Sequence, residues 1–409
     1  MPFTAPIAQE GARLPRIGST TATRKRSGVR RKSGVHLYKL GFPHCKTPPE
    51  FQFRTIMKAV RQLSTSSRIL ANYGFIGLGQ MGQHMARHIY NQLEPNDSLY
   101  VHDVLRDATE TFVNTVTSAS PDRKDCLKAL YNISDFVTGV NAQLDYIITM
   151  VPEGRHVKGV VQQLIETYQR GAPPTTKTTI LDSSTIDIPT SIEVHNYVKE
   201  QIPEFDFIDT PVSGGVAGAR KGTLSFMLSR PTDESISPSL NTLLKKMGKN
   251  IFPCGANHGA GLAAKLSNNY LLAVTNLAVA DSFRLAHSFG LDLVKYSKLV
   301  AVSTGKCWAA VDNCPIPGVY PAEYRLPVDD GYNGGFITKL TKKDLVLATD
   351  AAKFNDRFLF MGDVSRHWYE KACEREDIAS RDLAVLYEWL GDLEQQPDGT
   401  IVDKKDNEA

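Results

Sequence analysis

The sequence predicts an α/β protein in which a doubly wound parallel sheet is followed by an all-helical C-terminal domain. Two observations carry this prediction. Between residues 72 and 255, short apolar runs that end in Gly, Ser, Thr or Asp alternate with helical stretches. After Cys254 the strand-like runs stop, and residues 262–289 form a mainly apolar stretch with no helix breaker before Gly290. We therefore expect one sheet-containing domain and one helical domain.

The first apolar run, residues 73–76, reads as a buried strand and leads directly into a GxGxxG turn. That turn consists of Gly77, Leu78, Gly79, Gln80, Met81 and Gly82. Its first glycine makes the tight turn, its second lets the backbone approach a pyrophosphate, and its third lets the following helix pack on the strand. The helix N-terminus then attracts the anion. The pattern is typical of a Rossmann-type dinucleotide site.

An acid in the expected place strengthens this interpretation. The second strand, residues 99–102, ends at Asp103, about 20 residues beyond the last glycine, where a carboxylate can accept hydrogen bonds from a ribose diol. Because Asp103 repels a 2′-phosphate, NAD is favoured over NADP as cofactor. Arg106 lies close by, and we interpret it as a solvated surface residue.

Three later apolar runs end in small or polar residues, as strands do at the ligand-binding edge of an open α/β sheet. They are residues 144–150 before Val151 and Pro152, residues 179–182 before Ser183 to Thr185, and residues 205–209 before Thr210 to Gly215. Two further runs, 224–229 and 251–254, are expected to close the domain. The predicted organisation is a basic targeting or disordered segment (1–71), an NAD-binding domain (72–255), a helical substrate and dimerisation domain (256–395) and a disordered tail (396–409).

Charge and cysteine usage exclude several classes of function. Residues 1–71 contain fourteen Lys and Arg and two acids, so the net charge of +3 leaves −9 for residues 72–409, which argues against nucleic-acid binding by the folded body. The six cysteines form no CxxC pair, which predicts no metal site and fits a reducing compartment. Lys265 and Asp281 interrupt the longest apolar run, so we expect no membrane span.

The N-terminal segment is rich in Arg, Ser and Thr and has the composition of a mitochondrial transit peptide or a disordered basic tail. Residues 57–70 can form a short basic amphipathic helix. This favours import into the mitochondrial matrix with cleavage near Leu70 or Ala71. The basic run 24–32 is also compatible with a nuclear-localisation signal. Whether translation starts at Met1 or Met57 is left open by the sequence.

Within the long apolar stretch, Lys265 and Asn269 stand at i and i+4 and share one helix face. A buried lysine is costly unless it has a purpose, although a lysine that reaches solvent from a half-exposed face is the common alternative. A helix this apolar must be buried between the domains or against a second subunit, so we expect a homo-oligomer, either a dimer or a tetramer.

At these residues the chain resembles the β-hydroxyacid dehydrogenase family over about residues 72–390. The resemblance is carried by GFIGLGQMG (74–82), DSSTID (182–187), DTPVSGGVAGARKGTLSFML (209–228), GAGLAAKLSNN (259–269), GKCW (305–308) and TKKDL (341–345). The segments NCPIPGV (313–319) and GGF (334–336) resemble the hydroxyisobutyrate branch of that family.

The resemblance implies roles for individual residues. Lys265 would be the catalytic acid/base and Asn269 would orient the substrate. The substrate carboxylate would lie on Ser213, Gly214 and Gly215. Val151, Pro152 and Thr185 would line the NAD site, with Lys343 reaching the cofactor from the helical domain and Asp344 supporting that lysine.

The implied reaction is the NAD-dependent oxidation of 3-hydroxyisobutyrate to methylmalonate semialdehyde, a step of valine breakdown. One alternative is another enzyme of the family, acting on tartronate or succinic semialdehyde. A non-catalytic nuclear binding protein on the same fold is the other, against which the Lys265–Asn269 pair argues. The sequence departs from the family at His156, where an Asn contacting NAD is expected, at Lys306, where Arg is usual, and in the long region 118–143.

Overall fold

Six parallel strands form the central sheet of the first half of the protein. The computed structural model describes residues 71–171 and 176–404, all within one unit that runs from Ile69 to Ala409. The strands are β1 (Asn72–Ile76), β2 (Ser98–His102), β3 (Leu127–Ala129), β4 (Tyr146–Thr149), β5 (Thr178–Asp182) and β6 (Phe205–Asp209), in the spatial order β3-β2-β1-β4-β5-β6. This order confirms the predicted doubly wound parallel sheet.

Helices connect these strands and cover both faces of the sheet. They are α1 (Gly82–Asn91), α2 (Arg106–Ala119), α3 (Asp135–Thr138), α4 (Gly154–Arg170) and α5 (Ile188–Gln201). Successive strand residues point to opposite faces. Phe75 and Ile148 therefore belong to one apolar core, whereas Ile76 and Ile147 belong to the other, packed against α4 and α5.

The register brings the carboxyl ends of five strands to one edge. Ile76 pairs with His102 on one side and with Thr149 on the other; Thr149 then pairs with Asp182, and Asp182 with Asp209. Because these final residues lie side by side, the loops that follow them meet along this edge, where open α/β sheets bind ligands.

Strands are present near the expected positions 224–229 and 251–254, but they do not join the central sheet. They lie in a separate three-stranded sheet formed by β7 (Val212–Ser213), β8 (Leu224–Leu228) and β9 (Gly248–Pro253), together with α6 (Gly215–Lys221) and α7 (Pro238–Met247). Strand β8 buries only alternate residues. It packs that single apolar face into the same core as Phe75 instead of extending the central sheet.

The long region 118–143 contains an element that the sequence analysis did not anticipate. After α2 ends at Ala119, a 3₁₀ turn (Pro121–Cys126) leads into the edge strand β3, and α3 follows. Of the three residues in β3 only Leu127 is buried, so the strand leaves almost no apolar pattern in the sequence.

The second half is helical, as predicted. The 29-residue helix α8 (Ala260–Ser288) is followed by shorter helices: α9 (Leu293–Val302), α10 (Trp308–Val311), α11 (Thr338–Phe354), α12 (Gly362–Ala372), α13 (Glu376–Ala379) and α14 (Leu386–Asp392). Further 3₁₀ turns span Asp233–Ser235, Ala322–Tyr324, Pro327–Asp330 and Leu383–Val385. Among the described helices, none is long and apolar enough to cross a membrane.

The end of the described chain differs from the prediction of a disordered tail from residue 396. Strands β10 (Leu393–Gln395) and β11 (Ile401–Asp403) form an antiparallel hairpin. The Asp403 carboxylate accepts hydrogen bonds from Arg375 Nη1 at 3.0 Å and from Trp389 Nε1 at 3.1 Å, and these bonds fix the hairpin to the helical half.

Candidate active site

The glycine turn has the geometry that its sequence predicts. Gly77 has a φ of +98°, and a side chain there would collide with the Met150 carbonyl, while one at Gly82 would collide with the Gly77 carbonyl. A Cβ at Gly79, by contrast, would meet nothing within 4 Å. Gly77 and Gly82 are therefore required by the fold itself, and Gly79 leaves its backbone open to whatever binds outside the turn.

Asp103 is tied to this turn by hydrogen bonds. Its Oδ2 accepts from the Leu78 N–H at 2.7 Å and its Oδ1 accepts from the Leu105 N–H at 2.9 Å. Each carboxylate oxygen can accept more than one hydrogen bond, so Asp103 retains the capacity to bind a ribose hydroxyl.

The start of α1 fits a dinucleotide pyrophosphate. The N-cap residue Met81 makes no side-chain capping hydrogen bond, and the first turn contains no acid. A helix N-terminus without its own cap offers N–H donors and a positive dipole end to an anion. On α4, the Nδ1 atom of His156 is buried without a hydrogen-bond partner among the described residues.

Lys343 joins the helical half to the loops that follow β4 and β5. From α11 its Nζ donates to the Thr185 carbonyl at 2.7 Å and lies 3.5 Å from the Pro152 carbonyl. The same ammonium lies 3.4 Å from Asp344 Oδ1. The contacts bring together three residues that the family resemblance assigns to the cofactor site.

Lys265 and Asn269 lie on the buried face of α8. Only 8% of Lys265 and 3% of Asn269 are exposed, so the alternative of a lysine that reaches solvent does not hold. Asn269 Nδ2 donates to Asp344 Oδ2 at 2.6 Å, which ties this face of α8 to α11.

The surroundings of Lys265 favour its neutral form. Burial lowers the pKa of the Lys265 ammonium, and the positive charge of Lys343 lowers it further, while the Asp344 carboxylate opposes both by raising it. Burial is the largest of these influences because a charged ammonium loses its hydration when water is removed. A lysine of this kind can accept a proton at a pH where an exposed lysine cannot.

Asp209, at the end of β6, fixes the start of α8 to the sheet. Its Oδ1 accepts hydrogen bonds from the Gly259 N–H at 3.0 Å and from the Ser229 hydroxyl, and its Oδ2 accepts from the Leu262 N–H at 2.9 Å. The carboxylate thus caps the helix that carries Lys265. Sequence reasoning missed this role, because the partners lie 50 and 53 residues away in the chain.

Asp182, at the end of β5, organises the cofactor loops. Its Oδ1 accepts from Thr149 Oγ1 at 2.8 Å and from the Ser184 N–H at 3.1 Å. Ser184 Oγ in turn accepts from the Val151 N–H at 3.0 Å. Burial raises the pKa of the Asp182 carboxyl to about 6, and repulsion by the Asp209 carboxylate adds to this rise. The hydrogen bonds to Asp182 oppose part of it.

Ser213, Gly214 and Gly215 form the turn between β7 and α6. Gly214 and Gly215 have φ values of +131° and +60°, and both are exposed, whereas Ser213 is half-buried. The turn begins four residues after Asp209, so it follows directly from the strand that holds the start of α8.

Comparisons with known proteins agree with this arrangement. A family model described as the NAD-binding domain of 6-phosphogluconate dehydrogenase matches residues 72–255, and one described as the NAD-binding of NADP-dependent 3-hydroxyisobutyrate dehydrogenase matches residues 259–390. A Dictyostelium discoideum protein named "probable 3-hydroxyisobutyrate dehydrogenase, mitochondrial" is 34% identical over 336 residues, which cover 82% of this chain and 95% of the relative. The chain belongs to the 3-hydroxyisobutyrate dehydrogenase family.

Other members of the family give the same result. The mitochondrial 3-hydroxyisobutyrate dehydrogenase of Homo sapiens is 33% identical over 326 residues, covering 78% of this chain and 87% of the relative. A solved structure of 3-hydroxyisobutyrate dehydrogenase from Mycobacterium tuberculosis with L-serine is 30% identical, with a TM-score of 0.66, and the match covers 79% of this chain and 99% of that one. The predicted family, the fold class and the assignment as a dehydrogenase that uses a nicotinamide dinucleotide are confirmed.

Proposed function

We propose that this protein oxidises 3-hydroxyisobutyrate to methylmalonate semialdehyde with NAD, and that Lys265 is the base. The observation that carries the proposal is the buried Lys265 with its lowered pKa, held beside Asn269 on a helix whose start is fixed to the ligand-binding edge of the sheet. The names of the curated relatives support the choice of substrate.

The reaction needs a proton acceptor and a fixed substrate. NAD, when bound at this site, would supply the acceptor for the hydride of the alcohol carbon. Lys265 Nζ then accepts the proton of the substrate hydroxyl as the carbonyl forms. Asn269, held by Asp344, orients that hydroxyl. The backbone at Ser213 to Gly215 binds the substrate carboxylate, because glycines leave their N–H groups accessible to an anion.

We further propose that the cofactor residues act as a connected set. Gly77 to Gly82 bind the pyrophosphate and Asp103 binds the adenosine ribose, which favours NAD over NADP. Val151, Pro152 and Thr185 line the nicotinamide end. Lys343 holds this end to the helical half through its bonds to the Pro152 and Thr185 carbonyls.

Substitution of Lys265 tests the proposal. Lys265→Ala should lower kcat by about 10² to 10⁴, the usual contribution of a general base, while NAD affinity stays nearly unchanged. Lys265→Arg should be almost as damaging, because a guanidinium stays protonated. Asn269→Ala should impair substrate orientation and raise KM as well.

The matched control is Lys295→Ala on the exposed surface of α9, which should leave turnover unchanged. A folded Lys265→Ala protein that binds NAD and oxidises 3-hydroxyisobutyrate within a few-fold of the parent would contradict the assignment. A panel of small hydroxy acids, tested with the parent protein, separates 3-hydroxyisobutyrate from tartronate and succinic semialdehyde chemistry.

We also propose a homo-oligomer, formed through the helical half. Large apolar side chains are exposed where α11 ends and α12 begins, among them Phe354, Phe358, Phe360 and Val364. Because these side chains lie close together along the chain, we propose that they form an apolar interaction surface, with a second copy of the chain as its occupant. Light scattering should give a dimer or tetramer, and Phe358→Ser with Phe360→Ser should shift it towards the monomer.

We propose that the protein is located in the mitochondrial matrix. The names of the curated relatives include "mitochondrial", and residues 1–71 have the composition of a transit peptide. That segment lies outside the described residues apart from Ala71.

A further inference from the structure

The Arg106 guanidinium, close in sequence to Asp103 at the adenosine end of the proposed cofactor site, contacts two side chains. Arg106 is the first residue of α2, three positions after Asp103. Its Nε donates to Glu110 Oε1 at 2.8 Å, one helical turn further along. Its guanidinium carbon also lies 4.3 Å from the centroid of the Tyr131 ring, which follows β3.

Asp103 favours NAD, whereas an arginine at the position of Arg106 can favour NADP. A carboxylate at the end of the second strand binds a ribose diol, whereas a nearby arginine can accommodate a 2′-phosphate in its place. The guanidinium is suited to phosphate because its donors match two oxygens at once. A free Arg106 would therefore weaken the discrimination that Asp103 provides.

We propose that Glu110 is a specificity-determining residue, which holds the Arg106 guanidinium against Tyr131 and away from the position of a 2′-phosphate. The inference rests on the proposed NAD-dependent function and deepens it. Glu110 acts through Arg106, whose guanidinium it orients by the hydrogen bond to Nε. This role does not require Glu110 to touch the cofactor.

The size of the effect follows from the exposure of the pair. The side chains of Arg106 and Glu110 are 69% and 44% exposed, so water and salt screen their attraction. An exposed i,i+4 pair shifts an equilibrium by roughly twofold. The contribution of Glu110 should therefore be small in the parent protein and larger once Asp103 no longer repels the phosphate.

Nucleotide binding by calorimetry tests the proposal without relying on turnover. Glu110→Gln should raise the ratio of NADP to NAD affinity about two- to threefold, and the gain should shrink in high salt. When Glu110→Gln is combined with Asp103→Asn, it should raise the ratio of NADP to NAD affinity by a larger factor, because the freed guanidinium can then pair with the phosphate. In Arg106→Ala the gain should disappear. Thermal unfolding of each variant confirms that it is folded.

The matched control is Glu166→Gln, which breaks a comparable i,i+4 pair with Arg170 on α4 and should leave the ratio unchanged. A gain from Glu110→Gln that persists in Arg106→Ala, or no gain at all, overturns the proposal. If the parent binds neither nucleotide, the proposed function fails together with this inference. Another outcome is that the parent binds NAD and Asp103→Asn narrows its preference for NAD over NADP, while Glu110→Gln leaves the affinity ratio unchanged. That result refutes the role of Glu110 and leaves the proposed function standing.

Discussion

Replacing Asp209 with asparagine perturbs the link between the sheet and the helix that carries Lys265. The side chain is 1% exposed, and both of its carboxylate oxygens accept hydrogen bonds, from the Gly259 and Leu262 N–H groups and from the Ser229 hydroxyl. An asparagine has one accepting oxygen. Its NH₂ group must therefore face at least one of these donors.

The cost can be worked from these contacts. A buried donor left without an acceptor costs about 1–3 kcal/mol. Loss of a negative charge at a helix N-terminus costs up to about 2 kcal/mol in a partly buried geometry. We therefore expect Asp209→Asn to lower the free energy of unfolding by about 2–4 kcal/mol.

Turnover should fall as well, because Lys265 lies less than one helical turn beyond Leu262. If the first turn of α8 loosens, Lys265 Nζ is no longer held in one position. Misplacement of a catalytic group by about 1 Å can cost roughly 100-fold in rate. We expect kcat to fall by at least about tenfold, with NAD affinity nearly unchanged.

Urea unfolding and steady-state kinetics check both parts of this prediction. The matched control is Asp206→Asn on the same strand, since Asp206 pairs with Arg230 and Lys177 near the surface and does not bond to α8. The role of Asp209 would be refuted by an Asp209→Asn protein with unchanged kcat whose free energy of unfolding stays within about 1 kcal/mol of the parent's, a small part of the total stability of a folded protein.

Three further predictions concern the cofactor, the base and the N-terminus. Asp103→Asn should narrow a preference for NAD that we expect to be at least about tenfold, and equal kcat/KM for NAD and NADP in the parent would disprove the assignment. Because Asp344 raises the pKa of Lys265 and the base must be neutral, Asp344→Asn should move the rising limb of the kcat/KM profile to lower pH; a shift to higher pH would contradict this. Sequencing of the protein from its native cells should find a mature N-terminus near Leu70 or Ala71, and an intact Met1 would count against matrix import.

Local patterns in the sequence were enough to predict the main parts of the fold. The glycine turn, the strands that end in polar residues and the breaker-free helix each depend on neighbouring residues, so their signals are visible in one stretch of chain. Edge strand β3 was missed because it is three residues long and buries one of them. The separate sheet was missed because pairing partners such as β8 and β9 are chosen by tertiary packing, which a local pattern does not encode.

In the candidate site, too, some features could be predicted from local sequence and others depend on tertiary packing. The i,i+4 spacing placed Lys265 and Asn269 on one face, and the structure shows that this face is buried. Asp344 and Asp209 bond to α8 from positions up to 75 residues away in the chain. Only the fold brings such carboxylates to the helix, so the spacing of residues in the sequence could not reveal their roles.

Asp182 and Asp209 lie side by side on β5 and β6, yet their asparagine variants should behave differently. Burial is the main cause that raises the pKa of Asp182 from 3.8 to about 6, so ionising this group costs about 3 kcal/mol more in the folded protein than in the unfolded chain. Its contribution to stability is fully present below pH 3.8 and is lost as the pH rises through 6. Both of its acceptor contacts use Oδ1, and Oδ2 has no partner among the described residues, so an asparagine can keep both bonds and remove the charge.

At pH 8 Asp182→Asn should therefore be as stable as the parent or up to about 2 kcal/mol more stable, because the unpaired NH₂ of the asparagine offsets part of the gain. Its stability should also vary less than the parent's between about pH 4 and 6, since the group whose protonation differs there between the folded and unfolded states has been removed. Urea unfolding of both variants across this range checks the prediction. If Asp182→Asn lowered the free energy of unfolding at pH 8 as much as Asp209→Asn does, the two hydrogen bonds to Oδ1 would not explain how Asp182 is held.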